Sequence, residues 1–297
     1  MLKSRALSVR LWFWQKWAFG MDFKDIDFLI IGAAKSATTW LQQSLQRDLT
    51  ISMPNPELHY FSRYFSNGDE WYLSQFSKTE NQTHVGEKSN SYLDTPHSAE
   101  RISKALPKVK LIAQLRNPVD RAYSDYCMLY RRGEVGKDIE QHLDPRYAHG
   151  KRFLNGGLYD QQLRVYLDLF PSNQLLVMFF EDVKTNAPGQ LSLVRGFLQL
   201  DPNLPFSPVD KKIKDKSQPL IGPGLGRYLR PIKPIVAPFR QTRGFSYLRG
   251  LFAQELKYVP LSDDIRARMT DYYVPEVERL GKIVGKDLTN WLRGSRG

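Results

Sequence analysis

A single cysteine, Cys127, stands in 297 residues, so no internal disulfide can form and the chain suits a reducing, cytoplasmic setting. No cysteine–histidine spacing fits zinc, and the five histidines are scattered. No carboxylate cluster looks dedicated to magnesium. There is no apolar run long enough to cross a bilayer, and the hydrophobic core of a secretory signal is missing. Internal repeats are absent. The nucleotide loop Gly-x-x-x-x-Gly-Lys-Ser/Thr is absent too. Acids are missing from residues 1–20 and sparse across 201–260.

The deficit of acids leaves a net charge of +12 and a pI near 9.6, a balance that calls for an anionic partner: a nucleotide, a polyanionic glycan, nucleic acid or a membrane surface. An apolar fraction of 41% is enough for a packed core. Residues 1–20 place Lys3, Arg5, Arg10 and Lys16 among Trp12, Trp14 and Trp17. Such a segment reads as an interfacial anchor, and equally as a tail or a strip packed on the domain.

The chain is organised around residues 28–45. Phe28-Leu29-Ile30-Ile31 is a short continuous apolar run, the pattern of a strand buried on both faces. Gly32, Ala33 and Ala34 follow, small enough for backbone to approach a ligand. Then come Lys35, Ser36, Ala37, Thr38 and Thr39, and Trp40, Leu41, Ser44 and Leu45 at helical spacing. A strand, a turn with a lysine and hydroxyls, and a helix N-terminus make an anion site. An ordinary strand-to-helix turn with a solvated lysine fits the same letters.

Other stretches follow in order. Pro54–Phe61 is a proline-framed loop with Glu57 beside His59, either an active-site rim or a packed loop. Residues 70–76 read as a short amphipathic helix with Trp71, Tyr72 and Phe76 inward. Residues 85–92 read as a strand end entering a polar turn, and 97–106 as a helix stopped by Pro107. Residues 109–115 are a second apolar strand, ending in Arg116-Asn117-Pro118. Asn117 is a good N-cap and Pro118 suits the first helical position. Arg116 sits at the carboxyl end of its strand, where open α/β sheets bind ligands, with Ser124 on the helix that follows. A surface arginine and a helix serine account for the same residues. Residues 131–152 read as a charged flexible loop, 157–170 as a helix, 174–180 as a third strand and 191–200 as a helix.

Strands alternating with helices predict a single α/β domain over 21–297, with a mostly parallel sheet flanked by helices. Between Pro202 and Pro238 lie eight prolines, with Pro260 closing the stretch; Lys211, Lys212, Lys214 and Lys216 form a basic cluster there. This 201–260 stretch reads as a lid or acceptor-binding segment. Residues 261–280 return to amphipathic helix, and 288–292 close the fold.

Taken together, IIGAAKSATTWL, PELHYF, GEKSNSYL and LRNPVDRAYSDY, in that order, resemble the sulfotransferases that use 3′-phosphoadenosine 5′-phosphosulfate, and within them the carbohydrate branch of heparan sulfate N- and 3-O-sulfotransferase domains. GLYDQQLRVYLDLFP and the ending YYVPEVERLGKIVGKDLTNWL are similar to those domains as well. The resemblance covers roughly residues 26–200 and the C-terminal helix. It implies a P-loop-like phosphosulfate site in which Lys35, Ser36, Ala37, Thr38, Thr39 and Trp40 hold the 5′ end of the donor. It implies that Arg116 and Ser124 hold the 3′-phosphate, that Glu57 is the general base, and that Lys35 and Lys88 stand near the transferring group. The family's C-terminal cysteine pair and its Lys-Gly-Arg run are absent here, leaving Lys214 and Lys216 as candidates for the late 3′-phosphate contacts.

The resemblance implies a carbohydrate or glycolipid acceptor, no nucleic acid partner and no metal requirement, because lysines can neutralise the leaving group. Residues 1–20 add an expected peripheral membrane contact. Two rival readings use the same letters: a P-loop nucleotide kinase, against which the displaced Lys35 argues, and a non-catalytic polyanion-binding protein working through 201–260.

Overall fold

In the computed structural model the described residues are 21–148, 151–201, 208–209, 220–221, 253–254 and 258–293. The N-terminal segment 1–20 and the cluster containing Lys214 and Lys216 lie outside them, as does most of the 201–260 stretch.

Five strands form one parallel sheet: β1 (Phe28–Gly32), β2 (Ile51–Ser52), β3 (His84–Lys88), β4 (Lys110–Leu115) and β5 (Leu175–Phe179), in the order β2-β3-β1-β4-β5. β1 is central and wholly buried, as its uninterrupted apolar run requires. Its side chains alternate between two cores. Phe28 and Ile30 pack with Leu41 and Leu45 of α1 (Thr38–Leu45) and with Leu191, Val194 and Leu198 of α9 (Ala187–Leu198), which follows the short α8 (Phe180–Thr185). Leu29 and Ile31 face the larger core, with Tyr72, Ile102, Tyr126, Leu163 and Tyr273. These come from α2 (Asp69–Leu73), α3 (Ser98–Ala105), α4 (Pro118–Arg131), α7 (Tyr159–Leu167) and α10 (Asp263–Val284).

Close packing fixes two glycines. Gly86 pairs with Phe28 across the sheet, and a Cβ there would lie 2.5 Å from the Phe28 ring. Overpacking of this kind costs about 1–3 kcal/mol. A Cβ on Gly32 would meet Leu93 Cβ at 2.7 Å, because residues 89–93 fold across the end of β1. There Ser89 N donates to Ile30 O and Leu93 N to Ile31 O.

The strands and helices expected from the sequence are present, with ends shifted by a few residues. The expected flexible loop over 131–152 is a correction. It contains α5 (Ile139–Leu143) and ends at α6 (Arg152–Asn155). Ile139 and Leu143 are buried, and the Asp138 side chain caps α5 by accepting from Gln141 N. Fully buried Asp144 joins this region to α10 through Arg268 and also pairs with Arg146, at 2.8 Å each. These side-chain hydrogen bonds, with Arg146 contributing most, hold its carboxyl well below the usual range. A charged residue of the stretch read as a flexible loop pairs with a helix more than a hundred residues away.

Of the 201–260 stretch, the backbone of β6 (Leu220–Ile221) and β7 (Ala253–Gln254) is described, forming an antiparallel pair. Residues 208 and 209 touch α1: Trp40 Nε1 donates to Val209 O at 3.1 Å and Arg47 donates to Pro208 O at 2.7 Å.

Candidate active site

All five strands run the same way, so the carboxyl ends of β1, β3 and β4 open on one edge of the sheet. The chain leaves β1 toward β2 on one side and returns to β4 on the other, which places a crevice at the β1–β4 boundary. Residues 33–39 turn there. Lys35 (φ 71°) and Ala37 (φ 64°) both take left-handed backbone, rare for residues with a Cβ. Alternation of this kind gathers successive amides into an anion-binding concavity. The amides of Ala37, Thr38 and Thr39 take no acceptor among the described residues, and they open α1, whose dipole adds positive character.

The neighbouring strands bracket this loop. From β3, Lys88 Nζ donates to Thr39 Oγ1 at 3.3 Å; from the end of β4, Arg116 Nη1 donates to the Lys35 carbonyl at 3.3 Å. Gln114 Nε2 donates to Ser36 O at 2.5 Å. Arg116 lies over the Phe180 ring, 4.6 Å from its centre, and Tyr159 donates its hydroxyl to the Arg116 carbonyl at 3.0 Å. Three buried polar atoms around the loop, Ser36 Oγ, Gln114 Oε1 and Arg116 Nε, have no hydrogen-bond partner among the described residues. Buried polar atoms are seldom left this way except where a ligand or water completes them.

Glu57 lies beside Lys88. Its carboxylate accepts from Lys88 Nζ at 2.7 Å and from Asn90 N and Nδ2 at 3.3 and 3.4 Å, and His59 Nε2 is 3.5 Å away. Burial raises its pKa, but Lys88, Asn90 and His59 together outweigh burial and hold the carboxyl below its ordinary value. It is therefore ionised at neutral pH. His59 is pushed below its ordinary value, first by burial and then by the charge of Arg63. A neutral imidazole follows, with Nδ1 2.7 Å from Ser91 Oγ.

Lys35, Ser36, Ala37, Thr38, Thr39, Lys88, Arg116 and Glu57 thus meet at one sheet edge. Trp40 is half-buried and turned toward Val209. Ser124 is buried on α4, and no hydrogen bond joins it to Arg116 among the described residues. Asn117 caps α4 as its position predicts, accepting from Val119 N and Asp120 N. Sequence reasoning gave no role to Asn90, Gln114 or Tyr159. Asn90 and Tyr159 fall inside motifs singled out by resemblance, but their contacts cross 33 and 43 residues of chain and nothing local signals them.

A family model described as the sulfotransferase domain matches residues 25–218, a span that contains this loop and every residue just described. The chain belongs to the sulfotransferase family. Over 288 residues this sulfotransferase is 27% identical to the bifunctional heparan sulfate N-deacetylase/N-sulfotransferase 2 of Bos taurus, covering 90% of this chain and 30% of that protein. It is 31% identical over 177 residues to the human heparan sulfate glucosamine 3-O-sulfotransferase 6, covering 58% of this chain and 52% of that one. A third relative, the membrane-associated sulfotransferase kil1 of Dictyostelium discoideum, is 39% identical over 104 residues, 34% of this chain and 22% of that one. The chain thus spans under a third of the bovine protein and about half of the human one. Among solved structures, a sulfotransferase from Alicyclobacillus acidocaldarius shares the fold, with a TM-score of 0.67 at 24% identity over 90% of this chain and 99% of that one.

No helix among the described residues is long and apolar enough to cross a membrane. Nor does any group of three or more histidine, cysteine, aspartate or glutamate side chains among them form a metal site.

Proposed function

We propose that this chain transfers a sulfuryl group from 3′-phosphoadenosine 5′-phosphosulfate to a hydroxyl or amine of a carbohydrate or glycan-bearing acceptor. The observation that carries the reading is the bracketing of the 35–39 loop by Lys88 and Arg116, with Glu57 in contact with Lys88. The orphaned Ser36 Oγ and Arg116 Nε fit a polyanionic nucleotide, which would complete them. The amides of residues 37–39 and Lys35 would hold its 5′ end, and Arg116 with Ser124 its 3′-phosphate. Lys214 and Lys216 stay candidates for further contacts to that phosphate.

The donor supplies the sulfuryl group and a phosphate leaving group. Glu57, ionised and fixed by Asn90, accepts the proton of the acceptor hydroxyl or amine. Lys88 and Lys35 set positive charge beside the loop, where negative charge gathers as the phosphate departs. Phosphoryl transfer relies on the same combination of positioning and electrostatics. The sugar class of the acceptor is supported by the heparan sulfate relatives. We assign the basic 201–260 stretch to acceptor contact and residues 1–20 to peripheral membrane contact; flotation on anionic liposomes with and without residues 1–20 tests the latter.

The central test is thermal stabilisation by adenosine 3′,5′-bisphosphate compared with ATP–magnesium, followed by transfer from radiolabelled donor to a panel of unsulfated and N-deacetylated heparan-type polysaccharides. Stabilisation by the bisphosphate alone, with label appearing in polysaccharide, is the expected result. Stabilisation by ATP–magnesium alone would favour a kinase, and salt-sensitive polysaccharide binding without nucleotide binding would favour a non-catalytic binder.

A further inference from the structure

Glu87, next to Lys88 on β3, is fully buried and faces away from the charged cluster. Its carboxylate accepts from three hydroxyls: Tyr92 at 2.6 Å, Ser89 at 2.7 Å and Tyr72 at 3.1 Å. Two of these donors accept in turn from the segment that carries Glu57. Ser89 Oγ accepts from His59 N at 2.8 Å, and the Tyr92 hydroxyl accepts from Phe61 N at 3.4 Å. Two backbone amides in the five residues from Glu57 to Phe61 are therefore tied, each through one hydroxyl, to one carboxylate.

We propose that Glu87 is the positioning residue that holds the 57–61 segment, and with it the Glu57 carboxylate, against the end of β3. This rests on the sulfotransferase reading of the site. The ionised carboxylate is acceptor-only and matches a surround made only of donors. Once protonated it carries a donor of its own against hydroxyls already committed as donors, and the tie to the segment slackens.

The groups around it are the Tyr72 hydroxyl from α2 and the Ser89 and Tyr92 hydroxyls after β3, with Leu29 its neighbour across β1, and His59 on the held segment lies 3.5 Å from Glu57. Tyr60 stacks on Tyr72 at 4.5 Å and bonds Asp69, while Lys88 is turned to Glu57. Burial pushes Glu87 up to about 6, and the hydrogen bonds from Tyr92, Ser89 and Tyr72 limit that rise. Glu57 and His59 are both held below their ordinary values, and the acid limb of turnover is assigned to Glu87, a residue that touches no substrate.

Tyr72→Phe is the test. The Tyr72 hydroxyl bonds Glu87 and none of the segment amides, so its removal takes one donor from the ionised carboxylate and leaves the segment contacts in place. The acid limb of turnover, expected near pH 6 in the unaltered protein, should move up by roughly half to one pH unit with plateau turnover kept. Glu87→Gln should abolish that limb and lower turnover roughly tenfold or more at all pH, with stabilisation by adenosine 3′,5′-bisphosphate unchanged. An acid limb unmoved by Tyr72→Phe overturns the inference, as does full turnover in Glu87→Gln or its loss of nucleotide stabilisation together with turnover. Should Glu87→Gln fail to fold, Tyr72→Phe decides alone. A parent protein that neither transfers sulfuryl groups nor is stabilised by the bisphosphate overturns the functional reading and this inference with it. Nucleotide stabilisation with an unmoved limb overturns this inference alone.

Discussion

On the β3 side of the site, Glu57 takes up Lys88 and Asn90, and Glu87 takes up three hydroxyls. On the β1–β4 side, Ser36 Oγ, Gln114 Oε1 and Arg116 Nε are buried with no partner among the described residues, and the backbone is forced into left-handed conformations at Lys35 and Ala37. Under the proposed function the contrast follows from two tasks. A base must stand ready in one geometry, so its partners belong to the protein. A polyanion must be gripped when it arrives, so the Ser36 and Arg116 donors are kept uncommitted, and the fold tolerates the cost because the sheet above is closely packed.

Substitutions on the two sides should therefore fail differently. Glu57→Gln keeps the shape and removes the basic oxygen, so steady-state turnover should drop by about 10²–10⁴-fold while bisphosphate binding, followed by calorimetry, stays as it was. Equal losses in both would mean that Glu57 helps to hold the nucleotide and that the two sides are not separate. Lys35→Ala removes charge from the loop and should lower turnover by roughly 10²–10³-fold in a single-turnover assay. Arg116→Ala should weaken bisphosphate affinity by roughly 10–100-fold, the effect of a charge-assisted contact, with a smaller change in turnover at saturating donor. Ser36→Ala should be mildest, a loss of affinity under about tenfold together with a gain in thermal stability, since an unpaired buried hydroxyl is removed. A loss of stability instead would show that Ser36 Oγ is already satisfied within the fold.

The pH dependence of stability sharpens the same contrast. Glu57 is held below its ordinary value in the folded chain, so its contribution is present above that value and lost as pH falls through the folded one. Glu87 is raised to about 6, so the cost of its charge is absent below its unfolded pKa and complete above about pH 6. Glu87→Gln should accordingly cost less stability at pH 8 than at pH 5, measured by denaturant unfolding.

Residues that act through their own local pattern were readable in the chain. The apolar run Phe28–Ile31, the cap at Asn117 and the helix pattern of α10 announce themselves, because strand burial, capping and amphipathicity depend on neighbours a few residues away. The resemblance placed Lys35, Glu57, Lys88 and Arg116 in one family of sites. What the tertiary structure alone decided is which atoms of that site are committed and which are left open. Asp144 read as part of a charged flexible loop until α10 brought Arg268 to it. Glu87 read as one more letter of a polar turn until α2 and residues 59–61 closed over it, with bonds that span from 2 to 31 residues and pass through intermediate hydroxyls. Sequence pattern records the energetics of near neighbours, whereas the partner of a buried charge is chosen by how the layers pack, and only the folded chain brings those partners within hydrogen-bond reach.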